Sequence, residues 1–435
     1  MSAELSQSPG TPGGGPLSAL AAADVEAAAK RVAGVVTPSP LQFSDRLSAT
    51  TGASVYLKRE DLQVVRSYKL RGAYNLLVQL SDAELAAGVV CSSAGNHAQG
   101  FAFACRTLGV HGRVYVPAKT PKQKRDRIRY HGGEFIELIV GGSTYDLAAE
   151  AALADVERTG ATLVPPYDDL RTIAGQGTIA VELLDQLDAE PDLVVVPVGG
   201  GGCIAGITTY LAERTDSTAV LGVEPAGAAA MMAALAAGEP VMLDHVDQFV
   251  DGAAVRRAGT LTYAALAAAG DMVSITMVDE GAVCTAMLDL YQNEGIIAEP
   301  AGALAVAGLL EATDAPVEPD STVVCLVSGG NNDVSRYGEV LERSLVHLGL
   351  KHYFLVDFPQ EPGALRRFLD DVLGPNDDIT LFEYVKRNNR ETGEALVGIE
   401  LGSAADFDGL LQRLHATEMQ IETIEPGSAA YRYLL

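Results

Sequence analysis

The chain has 435 residues, 48% of them apolar and 20% charged, which is enough for two or three domains with a large buried core. Its formal net charge of −26 excludes nucleic acid and anionic membranes as partners, since either would meet a repelling field. No apolar stretch approaches a membrane span and the N-terminus lacks a signal-peptide core, so a cytoplasmic location is expected.

Residues 1 to about 20 are rich in Ser, Pro and Gly and are expected to be disordered. Strand and helix patterns then alternate. Apolar β-type runs fall at 54–58, 88–92, 113–117, 135–140, 193–198, 219–224 and 322–328, with helical patterns at 71–80, 97–108, 121–131, 143–158, 174–187, 203–214 and 281–293. Strands apolar on both faces, alternating with helices, predict an α/β fold of two open, mostly parallel sheets covered by helices. After about residue 337 the pattern changes. Residues 337–349 read as a linking helix. Beyond it come strands at 352–358, 379–387, 394–401 and 420–424 and helices at 363–373 and 404–417, the ferredoxin-like order β-α-β-β-α-β. The polar run KRNNRETGE (386–394) reads as an exposed hairpin turn.

Four consecutive glycines, Gly199 to Gly202, join the apolar run LVVVPV to a helical pattern starting at Cys203. Without Cβ atoms, successive backbone N–H groups can converge on an anion, and the helix adds its positive end, so a phosphate group is the expected guest. Gly200 to Ala205 also fits the relaxed dinucleotide fingerprint G-x-G-x-x-A, with Glu224 ending a strand at about the expected distance, so an NAD site is one alternative. Three further segments stand out: Lys69 at the start of a helix, CSSAGNHAQG (91–100) after a buried strand, and VSGGNNDV (327–334) closing another. Strand C-terminal ends in open α/β sheets are where ligands bind. The five cysteines are scattered among apolar neighbours and read as reduced, buried thiols; with no metal-spaced histidine cluster, no metal is expected.

The ordered set RSYKLRGA, SSAGNHAQG, PVGGGG, VDGAAV, AEPAGAL and SGGN resembles the pyridoxal-phosphate enzymes of the tryptophan-synthase-β fold (fold type II), and more closely the threonine dehydratases. The resemblance covers about residues 25–435. It implies a catalytic domain over 21–336 with a smaller subdomain at about 58–170, the linking helix at 337–349, and an ACT-like regulatory domain at 350–435. Carried over by motif, Lys69 is the Schiff-base lysine and the Cα base, and Tyr68 lies beside the cofactor ring. Asn96 bonds the cofactor's 3-oxygen. Gly199, Gly200, Gly201, Gly202 and the Cys203 amide cradle its phosphate, which in turn can protonate the departing hydroxyl. Ser328 faces the ring nitrogen and leaves it largely unprotonated. The loop Ser93, Ala94, Gly95, Asn96, His97 holds the substrate carboxylate. Glu299 lies in a motif but has no assigned role, and the Glu224 match becomes coincidental. Related serine racemases carry a serine where Ala94 stands, and an acidic metal ligand where Ala230 stands. The resemblance further implies L-threonine and some L-serine as substrates, isoleucine as inhibitor with valine opposing it, and a homo-oligomer, dimer or tetramer.

Overall fold

The computed structural model describes residues 20–311, 317–386, 389–417 and 419–434. The disorder expected for residues 1 to about 20 lies outside that set except at Leu20, as do residues 387 and 388 of the expected hairpin turn.

Six strands form the larger sheet, in the order Leu41–Phe43, Ser54–Arg59, Thr322–Val327, Leu193–Pro197, Ala219–Pro225, Val273–Val278. Every neighbouring pair is parallel except the first, where Leu41 opposes Lys58 in an antiparallel edge strand. The central strands are Val-rich because both their faces are covered: Val323 and Val327 lie in one core and Val324 and Leu326 in the other. A smaller, wholly parallel sheet runs Ile136–Val140, Gly112–Val116, Val89–Ser92, Thr162–Leu163. Helices Lys69–Leu77 and Asn96–Leu108 pack on one of its faces and helix Tyr145–Thr159 on the other.

The expected strands and helices up to residue 294 are present, with shifted ends. One shift matters. The pattern predicts a helix from residue 71, yet the helix begins at Lys69, because Tyr68 already has helical dihedrals (φ −64°, ψ −16°). Helix Asn96–Leu108 presses on this start: a Cβ added at Gly100 would come within 2.8 Å of the Leu70 nitrogen. Several elements had no expectation, including strands Thr162–Leu163 and Val273–Val278 and helices Ala22–Val32, Thr260–Ala269 and Pro300–Glu311. The last is buried from Pro300 through Leu309, so its apolar residues show no 3.6 period.

Past helix Tyr337–His347, the four-stranded antiparallel sheet runs Asp378–Tyr384, Thr392–Glu400, Lys351–Pro359, Gln420–Ile424, with helices Ala364–Val372 and Phe407–Ala416 on one face. This is the ferredoxin-like order. Phe354, Val356, Phe358, Phe368, Val397 and Leu410 form its core.

Candidate active site

The C-terminal ends of strands Leu193–Pro197, Thr322–Val327 and Val89–Ser92, with the start of helix Lys69–Leu77, converge on one cleft. Its walls are Tyr68, Lys69, Asn96, Pro197, Val198, Gly199, Gly252, Ala253, Glu299, Ala301 and Ser328. Lys69 Nζ donates to the Pro166 carbonyl (3.1 Å) and stands 5.1 Å from the Tyr68 ring centroid. Removal from bulk water pushes its ammonium down to about 8, so near neutral pH a fraction of the lysine is a free amine.

The glycine run leaves Gly199 on the cleft wall and turns away from it at Gly201, which adopts φ +90° as N-cap of helix Gly202–Arg214. The loop is enclosed from behind. A Cβ at Gly200 would sit 2.3 Å from the Tyr167 ring, and one at Gly201 would sit 2.4 Å from Met231 Cε. The Gly200 carbonyl accepts from Thr262 Oγ1 (2.7 Å) and from the Gly259 N–H. The first intrahelical bond runs from Ala205 N–H to the Gly201 carbonyl, and among the described residues the amides of Gly199 to Cys203 have no protein acceptor. Five unpaired donors at a helix start form a site for an anion.

Ser328 is buried, and its hydroxyl donates to the Ala301 carbonyl at 3.2 Å; among the described residues it has no hydrogen bond to an acidic side chain. Asn96 begins helix Asn96–Leu108 and bonds Glu299 Oε1 through Nδ2 (2.5 Å). Glu299 is buried, and that burial, reinforced by Asp251, pushes its carboxyl up to about 7. Ser93, Ala94 and Gly95 follow strand Val89–Ser92 without lining the cleft itself; Ser93 Oγ accepts the Gly95 N–H at 3.3 Å. His97 turns its side chain away from that loop, with Nε2 at 2.8 Å from the Val164 carbonyl, and burial pushes it down to about 4. Whatever His97 gives the loop is its backbone N–H.

The dinucleotide alternative is overturned at Glu224. Its two carboxyl oxygens accept the N–H groups of Met231 and Met232, both at 2.8 Å, capping helix Ala230–Ala237, and the residue is fully buried. No ribose hydroxyl can reach it. Several wall residues had no role in the sequence reading. Gly252, Ala253 and Ala301 lie inside motifs already noted, so their position was signalled. Pro166 and Tyr167, which lie outside the wall, against Lys69 and Gly200, had no such signal, because each meets its partner only through the fold.

Residues 32–329 match the family model of pyridoxal-phosphate dependent enzymes, and residues 342–434 match the C-terminal regulatory domain of threonine dehydratase. The chain is 87% identical over 435 residues, all of both chains, to a protein of Mycobacterium tuberculosis named biosynthetic L-threonine dehydratase. It is 58% identical over 418 residues, 95% of each chain, to a protein of Corynebacterium glutamicum of the same name. Among solved structures, the processed form of threonine deaminase isoform 2 from Solanum lycopersicum superposes with a TM-score of 0.68 at 38% identity, over 74% of this chain and 92% of that one. The cleft, the anion loop and these matches agree: the chain belongs to the pyridoxal-phosphate-dependent threonine dehydratases.

Proposed function

We propose that the chain eliminates water from L-threonine and, with water taken up again on hydrolysis, releases ammonia and 2-oxobutanoate, and so commits threonine carbon to isoleucine synthesis. One observation carries the reading: Lys69, Asn96, Gly199 and Ser328, from four separate segments, line one cleft. Pyridoxal phosphate fits that cleft by the chemistry of its donors. Five unpaired amides suit a phosphate, a partly neutral lysine suits an aldehyde, and a hydroxyl without an acidic partner suits an unprotonated ring nitrogen. When bound, the group supplies an electron sink that acidifies the substrate's Cα.

The protein's residues do the rest. Lys69 Nζ takes the Cα proton, and its depressed basicity places it near the working pH of a general base. The amides of Gly199 to Cys203 hold the phosphate, the side chain of Asn96 holds the ring oxygen, and Tyr68 flanks the ring. The Ser93 hydroxyl and the backbone of Ala94 to His97 hold the substrate carboxylate. Ala94 has no proton to deliver to the opposite face of Cα, so racemisation is not supported. The Cα–H and Cβ–O bonds break, the hydroxyl leaves as water, and the released 2-aminocrotonate tautomerises and hydrolyses to 2-oxobutanoate and ammonia. L-Serine lacks only a methyl, worth ~1–3 kcal/mol in an apolar pocket, so its kcat/KM is expected to be roughly 10–200-fold lower. The segment after residue 342 would make the enzyme responsive to isoleucine, as inhibitor, with valine opposing.

The test is direct. Purified protein should convert threonine to 2-oxobutanoate, and borohydride reduction followed by peptide mapping should leave a pyridoxyl group on Lys69. Lys69→Ala should lose at least ~1,000-fold in kcat. Normal turnover by Lys69→Ala, or reduction onto another lysine, would overturn the reading.

A further inference from the structure

Among the described residues Glu299 is the one acidic residue on the cleft wall, and the reaction outlined above gives it no task. Its surroundings show what it holds. The Val65 carbonyl can only accept, so the amide nitrogen of Asn331 must face it (2.8 Å); that nitrogen's second hydrogen goes to Asn96 Oδ1 (2.8 Å). With its oxygen fixed by Asn331, Asn96 must turn Nδ2 to Glu299 Oε1, at 2.5 Å. One of the two Nδ2 hydrogens is then spent, and among the described residues the other has no acceptor. Gly329 seals the pair: a Cβ there would lie 2.4 Å from Glu299 Oε1 and 3.2 Å from Asn96 Nδ2. The Glu299 amide in turn donates to the Gly329 carbonyl at 3.1 Å, which fixes the acid's backbone.

Resting on the functional reading above, we propose that Glu299 is a positioning residue: its carboxylate, with Asn331, locks the Asn96 amide so that the remaining N–H points at the cofactor's ring oxygen. A carboxylate acceptor makes this a charge-assisted bond, stronger than a neutral one. The groups in Glu299's field are Tyr68 and Lys69 at the helix start, Asp251 on the facing loop and Lys124 on helix Lys122–Gly132. Lys124 pairs with Asp251 and partly offsets it, and burial remains the largest influence. Titration at about 7 then loosens the lock as pH falls through neutrality.

Affinity of the cofactor-free enzyme for pyridoxal phosphate, measured by ultrafiltration and by absorbance of the bound cofactor, is the readout. Four proteins are compared with the unsubstituted chain: Glu299→Ala, Glu299→Gln, Asn96→Ala and the double variant Asn96→Ala/Glu299→Ala. Glu299→Ala should weaken binding about tenfold in the natural background but less than about twofold when Asn96 is already alanine. Glu299→Gln, close in shape, keeps one acceptor; it should bind within about threefold and show a shallower loss of affinity below neutral pH. A purely structural Glu299 would cost the same in both backgrounds, and that result would overturn the proposal. So would wild-type affinity and pH dependence in both Glu299 variants while the unsubstituted enzyme binds cofactor and deaminates threonine. If the unsubstituted chain takes up no pyridoxal phosphate, the functional reading itself falls.

Discussion

A lysine in water is almost wholly protonated at neutral pH; Lys69 is less so, because burial pushes its ammonium down to about 8 even though Nζ donates to the Pro166 carbonyl. That partner is 97 residues away in sequence, which is why the lysine was legible from its motif and its hydrogen-bond partner was not. The glycine run divides the same way. Its anion-binding character follows from four missing Cβ atoms before a helix, but the reason glycine is obligatory at Gly200 is the Tyr167 ring, brought in by the fold. Gly200→Ala should therefore displace the loop and weaken pyridoxal phosphate binding by about tenfold or more, an overpacking cost of ~1–3 kcal/mol. Cys203→Ala, which keeps the amide and removes only a buried thiol, should hold cofactor affinity within about twofold. Ultrafiltration with free cofactor separates the two outcomes.

Beneath helix Lys69–Leu77 lies a buried ionic cluster that no spacing in the sequence announced. Arg71 spends all five of its N–H donors: two on Glu60 (2.7 and 2.9 Å), two on Glu182 (2.7 and 3.0 Å) and one on Thr178 (3.0 Å). Lys58 spends its three on Glu182, Gln186 and the Ser39 carbonyl. Strand Ser54–Arg59, helix Lys69–Leu77 and helix Leu170–Gln186 are thus tied together two residues from Lys69. The strands were readable because Val and Leu crowd both faces of a parallel sheet. The cluster was not, since charged residues on a strand end and a helix start look like surface until the fold buries them. Removing one partner strands the others in a dry interior, so Glu60→Ala or Arg71→Ala should destabilise the protein by ~3–5 kcal/mol in urea unfolding. Burial disfavours the Glu60 carboxylate, yet Arg71 holds its pKa below the ordinary 4.5. A depressed folded pKa gives stability that is present above that value and lost as pH falls through the folded one. Melting temperature should drop on acidification below about pH 4.5, and in Glu60→Gln that part of the drop should vanish.

At the scale of the whole molecule, the C-terminal sheet reaches the cleft through one helix. Glu342 on helix Tyr337–His347 accepts from Lys351 Nζ and Tyr353 Oη of the first C-terminal strand, both at 2.5 Å. On the same helix Arg343 lies over the Phe249 ring at 4.4 Å; Arg336, just before it, lies over that ring at 4.6 Å and bonds the Phe249 carbonyl at 2.7 Å. Phe249 begins the segment that ends in Gly252 and Ala253 on the cleft wall, and Ala253 is what a Cβ at Gly199 would strike, at 2.9 Å. An effector that moves the first C-terminal strand can shift threonine affinity only if its binding differs between two arrangements of these contacts. The two guanidinium–ring contacts, each worth ~0.5–2 kcal/mol, are the part of this route that a conservative change can remove. Phe249→Leu keeps an apolar side chain in the same place and should leave the maximal rate within about twofold, since no reacting atom touches Phe249. In the unsubstituted enzyme isoleucine should raise the threonine concentration for half-saturation by roughly 5-fold or more, the usual scale of allosteric coupling. In Phe249→Leu that rise should shrink to less than about twofold while isoleucine still binds, which calorimetry on the full chain would show. A variant that binds isoleucine and responds to it as the unsubstituted enzyme does would mean that the signal bypasses Phe249 and crosses elsewhere, the Thr285–Ser344 hydroxyl contact at 2.9 Å being the next route to sever.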